Sequence, residues 1–316
     1  MIKLSLSYKD PLHLSETLAE LGQQTRITQL DRGEGTYSMS HAIASGVSIA
    51  EIKASKTLLY EGWGTDWSID FNWITPLKSS ADPLGYCEGY EMRSNSIGGL
   101  NTLNSTTASS WGKYSEFCSS TACMLDKALL IDSLKACNAQ VALDNLTNKR
   151  GLDVDHPAAL QLRKLARKDM HQGIVNATKY YDLITCCLEE GTVRRYRKAE
   201  LRNQGLLSEI VHLSHSYDAM KSPMSLTDVC KHLGASQASL YRVCQEYFGM
   251  GIMEMMMQVR LEESRRALLM QGNHSQSHES TIRAVAIRYG FKHAGRFARR
   301  YFTSFGELPS QTIQAS

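Results

Sequence analysis

No run of about 18 apolar residues occurs in this 316-residue chain, and its start lacks a basic patch followed by an apolar stretch. The sequence therefore predicts neither a membrane span nor a secretory leader. An excess of one charge is also missing: 35 Lys and Arg face 32 Asp and Glu, a formal net charge of +3. A role on a polyanion cannot be read from the whole chain, only from where the charges sit. Histidine is thin where a metal-dependent β-barrel enzyme would need it, since residues 1–120 hold His13 and His41 alone. No nucleophile with a base, paired carboxylates or metal cluster stands at a catalytic spacing. The expectation is a non-enzyme with no cofactor and no metal. The segment from Asp153 to Pro157 (DVDHP) reads as a polar loop before a helix. The eight cysteines show no framework spacing, which suits a reducing cytoplasm. Cys118 and Cys123 have no nearby His, and Cys186–Cys187 lie in an apolar helical run, so both pairs read as plain thiols.

What is present is concentrated in the tail. From Ser280 to Ser310 the sequence is STIRAVAIRYGFKHAGRFARRYFTSFGELPS. Ile282, Val285 and Ala286 have helical spacing, and Gly290 supplies a turn. Phe297, Tyr301 and Phe305 then give a second helix an apolar face. Lys292, His293, Arg296, Arg299 and Arg300 occupy its other faces, and no acidic residue lies between Thr281 and Phe305. A helix pair with a purely basic exposed side suits a polyanion. The stretch also occurs twice. Leu226, Val229, Cys230 and Gly234 precede Ile282, Val285, Ala286 and Gly290 by 56 residues each. Leu240, Arg242, Phe248 and Gly249 precede Phe297, Arg299, Phe305 and Gly306 by 57, because the second turn is one residue longer. The repeat keeps an outward Arg as well as the inward residues, which two unrelated helical hairpins would have no reason to do.

With these residues in order, and with GF, RFARRY and FGELP in the second copy, the tail from about Leu206 to Ile313 resembles the AraC/XylS family of bacterial transcription regulators. The resemblance implies two helix-turn-helix units (225–249 and 281–306) joined by a long helix, each placing its second helix in successive major grooves. Ile252–Leu269 would be that joining helix: its 18 residues span roughly 27 Å, against about 34 Å for one DNA turn. Arg260-Leu261 matches the family's RL pair there. Gln237, Ala238, Ser239, Tyr241 and Arg242 are outward candidates on the first reading helix. Ala294, Gly295, Ala298 and Arg299 match groove-facing positions of the second. Three of those four are small, so the second unit is expected to clamp the backbone through Lys292, His293, Arg296, Arg299 and Arg300. Expected partners are promoter duplex DNA and RNA polymerase, with a small-molecule effector and a homodimer as further possibilities, on a cytoplasmic, nucleoid-associated protein.

The rest of the chain fits an α+β organisation: a β-rich barrel or sandwich (1–120), a helical segment (121–192), a basic linker (193–205) and an all-α tandem helix-turn-helix domain (206–316). Short alternating runs such as KTLLYEGW and WSIDFNWITPL support the β-rich part. Tyr60, Trp63, Trp67, Phe71, Trp73, Tyr86 and Tyr90 crowd together there, as core or as the lining of a ligand pocket. From Thr121 a helical period appears, with Leu125, Leu129 and Leu134 along one side. Pro157 then opens a second helix, running to about Gly191, with Leu160, Leu162, Leu165, Met170, Ile174, Tyr181, Ile184 and Leu188 as its stripe. Packing onto the β domain and pairing with a second chain need the same stripe. The alternative to an effector-sensing regulator is a DNA-binding architectural or partner-recruiting protein whose N-terminal domain binds protein.

Overall fold

The computed structural model describes residues 2–63, 67–79, 83–93, 96–99, 109–148, 152–193, 198–270 and 278–314. The chain divides into two compact units, residues 1–27 with 36–201 and residues 28–35 with 202–316. The expected β-rich N-terminal region and helical C-terminal region are both present.

The first unit runs in the order β1 (Ile2–Tyr8), α1 (Pro11–Glu20), β2 (Thr25–Gln29), β3 (Tyr37–Ala44), β4 (Val47–Ala54), β5 (Leu58–Trp63), β6 (Ser68–Pro76), β7 (Gly85–Cys87), β8 (Tyr90–Met92), β9 (Ser96–Gly99), β10 (Ser109–Tyr114) and β11 (Cys118–Asp126). Then come α2 (Lys127–Ala136), α3 (Gln140–Asn148), β12 (Leu152–Asp155), α4 (Pro157–Gln172), α5 (Ala177–Glu190) and β13 (Thr192–Val193). Among the described residues, eight strands form one sheet in the order β1-β3-β4-β11-β6-β9-β12-β13, and five form another, β2-β5-β10-β7-β8. The central strands bury residues on both faces, although β6 alternates the apolar Ile69, Phe71 and Trp73 with Asp70 and Asn72. Val47, Ile49, Phe71, Trp73 and Leu125 pack against Leu130, Leu134, Leu162, Ile184 and Leu188 of the helices. On the opposite face Ile52, Ala54 and Met124 meet Leu14, Leu18 and Leu58.

Four details depart from the sequence reading. Asp153–Asp155, read as part of a loop, belong to strand β12, paired with β9 and β13. Strand β11 carries the chain to Asp126, whose carboxylate accepts from Leu129 N–H and caps α2. The helical phase therefore starts six residues later than expected. It buries Leu130 and Leu134 and leaves Leu129 49% exposed. Next, the helix opened by Pro157 does not run through to Gly191. Gly173, at φ 71°, ends α4 in the left-handed region, and Asn176 caps a new helix. Leu160 and Ile174 are consequently exposed, at 48% and 63%. Finally, the aromatic crowd is split: Phe71 and Trp73 are core, Tyr60 packs edge-on against Tyr114, and Trp67 is 47% exposed. The Trp63 side chain lies outside the described residues.

The second unit is helical. It holds most of α6 (Lys198–His215), then α7 (Tyr217–Lys221), α8 (Leu226–His232), α9 (Gln237–Phe248), α10 (Ile252–Leu269), α11 (His278–Arg288), α12 (Ala294–Phe305) and α13 (Pro309–Gln314). The basic segment expected as a linker is helical from Lys198 onward, while 194–197 lie outside the described residues. Leu207, Ile210, Val211 and Leu213 of α6 are buried, as their spacing predicts. Leu261, Leu268, Val285, Phe297, Tyr301 and Phe305 form a core shared by α10, α11 and α12.

Candidate nucleic-acid interface

Each half of the repeat builds a helix, a glycine turn and a second helix, though a side-chain cap on the second helix is seen in the first half alone. In the first, Ser225 caps α8 in a reciprocal capping box with Asp228. The hydrogen bonds from Ser225 hold the Asp228 carboxyl below its ordinary range. Gly234, at φ 59°, makes the turn, and Ser236 caps α9 by accepting from Ser239 N–H. Helix α9 buries Leu240, Val243, Cys244, Tyr247 and Phe248. That anchoring leaves Gln237, Ala238, Tyr241, Arg242 and Gln245 exposed. Ser239 is half-buried, and its hydroxyl accepts from the Ser236 hydroxyl at 3.0 Å, so it is partly committed to the cap.

In the second half Gly290, at φ 74°, makes the turn, and α12 buries Phe297, Tyr301, Ser304 and Phe305. Phe291, Phe297, Tyr301 and Phe305 stack in sequence, with ring centroids 4.8, 5.5 and 4.7 Å apart. Lys292, His293, Ala294, Gly295, Arg296, Arg299 and Arg300 are exposed, and Ala298 is half-buried. Both reading helices end in left-handed glycines, Gly249 and Gly306. Arg242 and Arg299 are both exposed, and neither meets a carboxylate among the described residues. The structure thus leaves both guanidiniums accessible at equivalent positions of their helices. Arg300, though exposed, rests an N–H on Met257 Sδ at 3.1 Å.

Two features carried no signal legible in the sequence. Arg260, noted there only as part of an RL pair, is 7% exposed, with its guanidinium 5.3 Å from the Phe291 ring. Burial and the neighbouring Arg300 bring its pKa down to about 10, so it remains a cation at neutral pH. The other feature is the segment Thr28–Gly35, which is part of this unit although both flanks belong to the first. His215 Nδ1 lies 3.0 Å from the Val211 carbonyl, which can only accept. Nε2 lies 3.3 Å from the Thr28 hydroxyl. Gln29 N–H donates to Glu262 Oε1 at 3.2 Å, and Gly33 N–H donates to the Ser304 carbonyl at 2.9 Å. The strap is thus fastened to α6, α10 and α12. Glu262 is 5% exposed, so Glu262→Ala leaves a buried N–H without its acceptor and should cost about 1–3 kcal/mol. The Arg32–Glu254 pair has side chains 66% and 55% exposed, so Arg32→Ala should cost less than about 1 kcal/mol. Urea unfolding of the two variants checks this ordering.

Comparison with known proteins agrees with this geometry. Residues 229–315 match the family described as "Helix-turn-helix domain". The chain is 26% identical over 201 residues to the probable thc operon regulatory protein of Rhodococcus erythropolis, covering 60% of this chain and 59% of that one. It is 34% identical over 94 residues to XylDLEGF operon transcriptional activator 2 of Pseudomonas putida, covering 30% of this chain and 57% of the other. The chain thus spans less than two thirds of these relatives' lengths. Among solved structures, the AraC-like transcriptional activator CuxR is 12% identical, covering 83% of this chain and 95% of that chain with a TM-score of 0.37. Likeness at that level supports no inference beyond the sequence matches.

Proposed function

We propose, from a C-terminal domain of the AraC/XylS helix-turn-helix type, that this chain is a sequence-specific DNA-binding transcriptional regulator reading two successive major grooves. One observation carries the reading: a duplicated helix-turn-helix unit offers an exposed, carboxylate-free Arg at the same place on each second helix, Arg242 and Arg299. Arg is suited to bidentate recognition of guanine O6 and N7, worth about 1–3 kcal/mol against the wrong base. In the second unit the small residues Ala294, Gly295 and Ala298 offer little to a base edge. Lys292, His293, Arg296, Arg299 and Arg300 instead supply donors that any phosphate accepts, setting register without sequence. Operon regulation, stated for the relatives, is extended to this chain on that basis. So are contact with RNA polymerase and a cytoplasmic, nucleoid-associated location; no helix among the described residues is long and apolar enough to cross a membrane.

The N-terminal unit is read as the regulatory part, taking an effector or pairing two chains. An effector is supported by a cleft of about 650 Å³ lined by Tyr8, Lys9, Tyr37, Lys53, Leu77 and Phe117, a size usual for small-molecule sites. The test of the function is to isolate genomic fragments that co-purify with the full chain and measure binding at fixed salt. The expected result is a preferred site bound about 10³–10⁷ times more tightly than random duplex. Equal affinity for random duplex of the same length would overturn the proposal.

A further inference from the structure

We infer that His156, Cys186 and Glu190 form a binding site for a dication of the zinc class, where α4 begins and α5 ends. The three come from two elements brought together by the fold. His156 is the N-cap residue of α4. Cys186 and Glu190 lie one turn apart on α5, so they share a face. His156 Nδ1 is 3.9 Å from Cys186 Sγ, and Nε2 is 3.8 Å from Glu190 Oε2. One ligand atom from each residue lies within 4.8 Å of the others. Zinc takes nitrogen at about 2.0–2.1 Å and sulfur at about 2.3 Å, so two such ligands on a tetrahedron sit about 3.6 Å apart. The observed nitrogen–sulfur separation needs to close by only a few tenths of an ångström. Glu190 has a side chain 68% exposed and can rotate to become the third ligand, leaving the fourth position to water.

The donor set selects the metal. One imidazole, one thiol and one carboxylate form a borderline set that suits zinc or cobalt, whereas calcium and magnesium prefer oxygen ligands throughout. Binding has a local cost that ties it to α4. Ala158 N–H donates to His156 Nδ1 at 3.1 Å, so in the metal-free chain that nitrogen carries the lone pair and Nε2 carries the proton. The metal takes Nδ1 in place of the amide, or takes Nε2 after the proton moves to Nδ1. Either route gives up the helix cap. The thiol proton leaves to solvent as sulfur binds the ion. The loaded site would pin the β12–α4 corner to the last turn of α5.

The test is a titration of the reduced full chain with Co²⁺, followed by thiolate-to-cobalt absorption. One equivalent should produce the band, and Cys186→Ser, which keeps the helix cap, should abolish it. Glu190→Gln should weaken binding by more than about tenfold, since even outer partners of metal ligands contribute 10–100-fold. Cys137→Ser, at an exposed cysteine elsewhere, should leave the band unchanged. Absence of a band, its survival in Cys186→Ser, or its loss in Cys137→Ser would overturn the site. No DNA is present in the assay, so its outcome is separable from that of the regulator reading.

Discussion

Phe297→Ala is expected to lower the stability of the C-terminal domain by about 3–5 kcal/mol, the usual cost of removing a fully buried ring. Phe297 is 0% exposed and stands in the middle of the aromatic stack that joins the turn after α11 to the length of α12. Its ring touches Phe291 on one side and Tyr301 on the other, so truncation opens a cavity that neither neighbour can fill without leaving its own packing. Helix α12 has 12 residues, too short to persist in water without that packing. The second reading unit should therefore be lost before the rest of the chain unfolds. Phe302, on the same helix but 53% exposed, is the control: Phe302→Ala should change stability by less than about 0.5 kcal/mol. Urea unfolding read by circular dichroism distinguishes the two, and similar losses in both would contradict the assigned face of α12.

Gly290→Ala is expected to be the more damaging of two formally equivalent turn substitutions. Gly234 and Gly290 match in the repeat, and both have positive φ, at 59° and 74°. A side chain in the left-handed region costs about 1–2 kcal/mol on conformation alone. At Gly234 nothing lies within 4 Å of an added Cβ, so that is the whole penalty. At Gly290 the added carbon would stand 2.7 Å from Pro223 Cδ and 2.9 Å from the Met220 carbonyl. The proline ring and the backbone cannot swing aside as a long side chain would, and crowding adds about 1–3 kcal/mol. Thermal melts should rank wild type above Gly234→Ala and Gly234→Ala above Gly290→Ala. Equal shifts would show that the two turns are not packed as described.

The C-terminal domain was legible because its signals are local. Glycines at the turns and apolar residues at helical spacing act within a few positions, and a repeat shows them twice. The bounds of α10 agree with the joining helix that the family resemblance implies. The helical segment was harder to phase, since Thr121–Leu125 is as apolar as the helix that follows and continues a buried strand. Strands β12 and β13 pair residues nearly forty positions apart, with two helices between, and no short window contains that partnership. The strap at Thr28–Gly35 is the extreme case. Its anchors are His215, Glu262 and Ser304, each an ordinary polar residue in sequence, and only the fold brings them to one place. The cluster of His156 with Cys186 and Glu190 was hidden in the same way.

The central claim is that the two reading helices divide the work, the first specifying bases and the second holding the backbone. Binding-site selection with wild type, Arg242→Ala and Arg300→Ala, repeated across a salt series, tests it most directly. Arg242→Ala should relax preference at one base pair and keep the salt slope close to that of wild type. Arg300→Ala should weaken all sequences alike and make the slope of log K against log salt shallower by about 1. Equal loss of preference in the two variants, with equal salt slopes, would contradict the account.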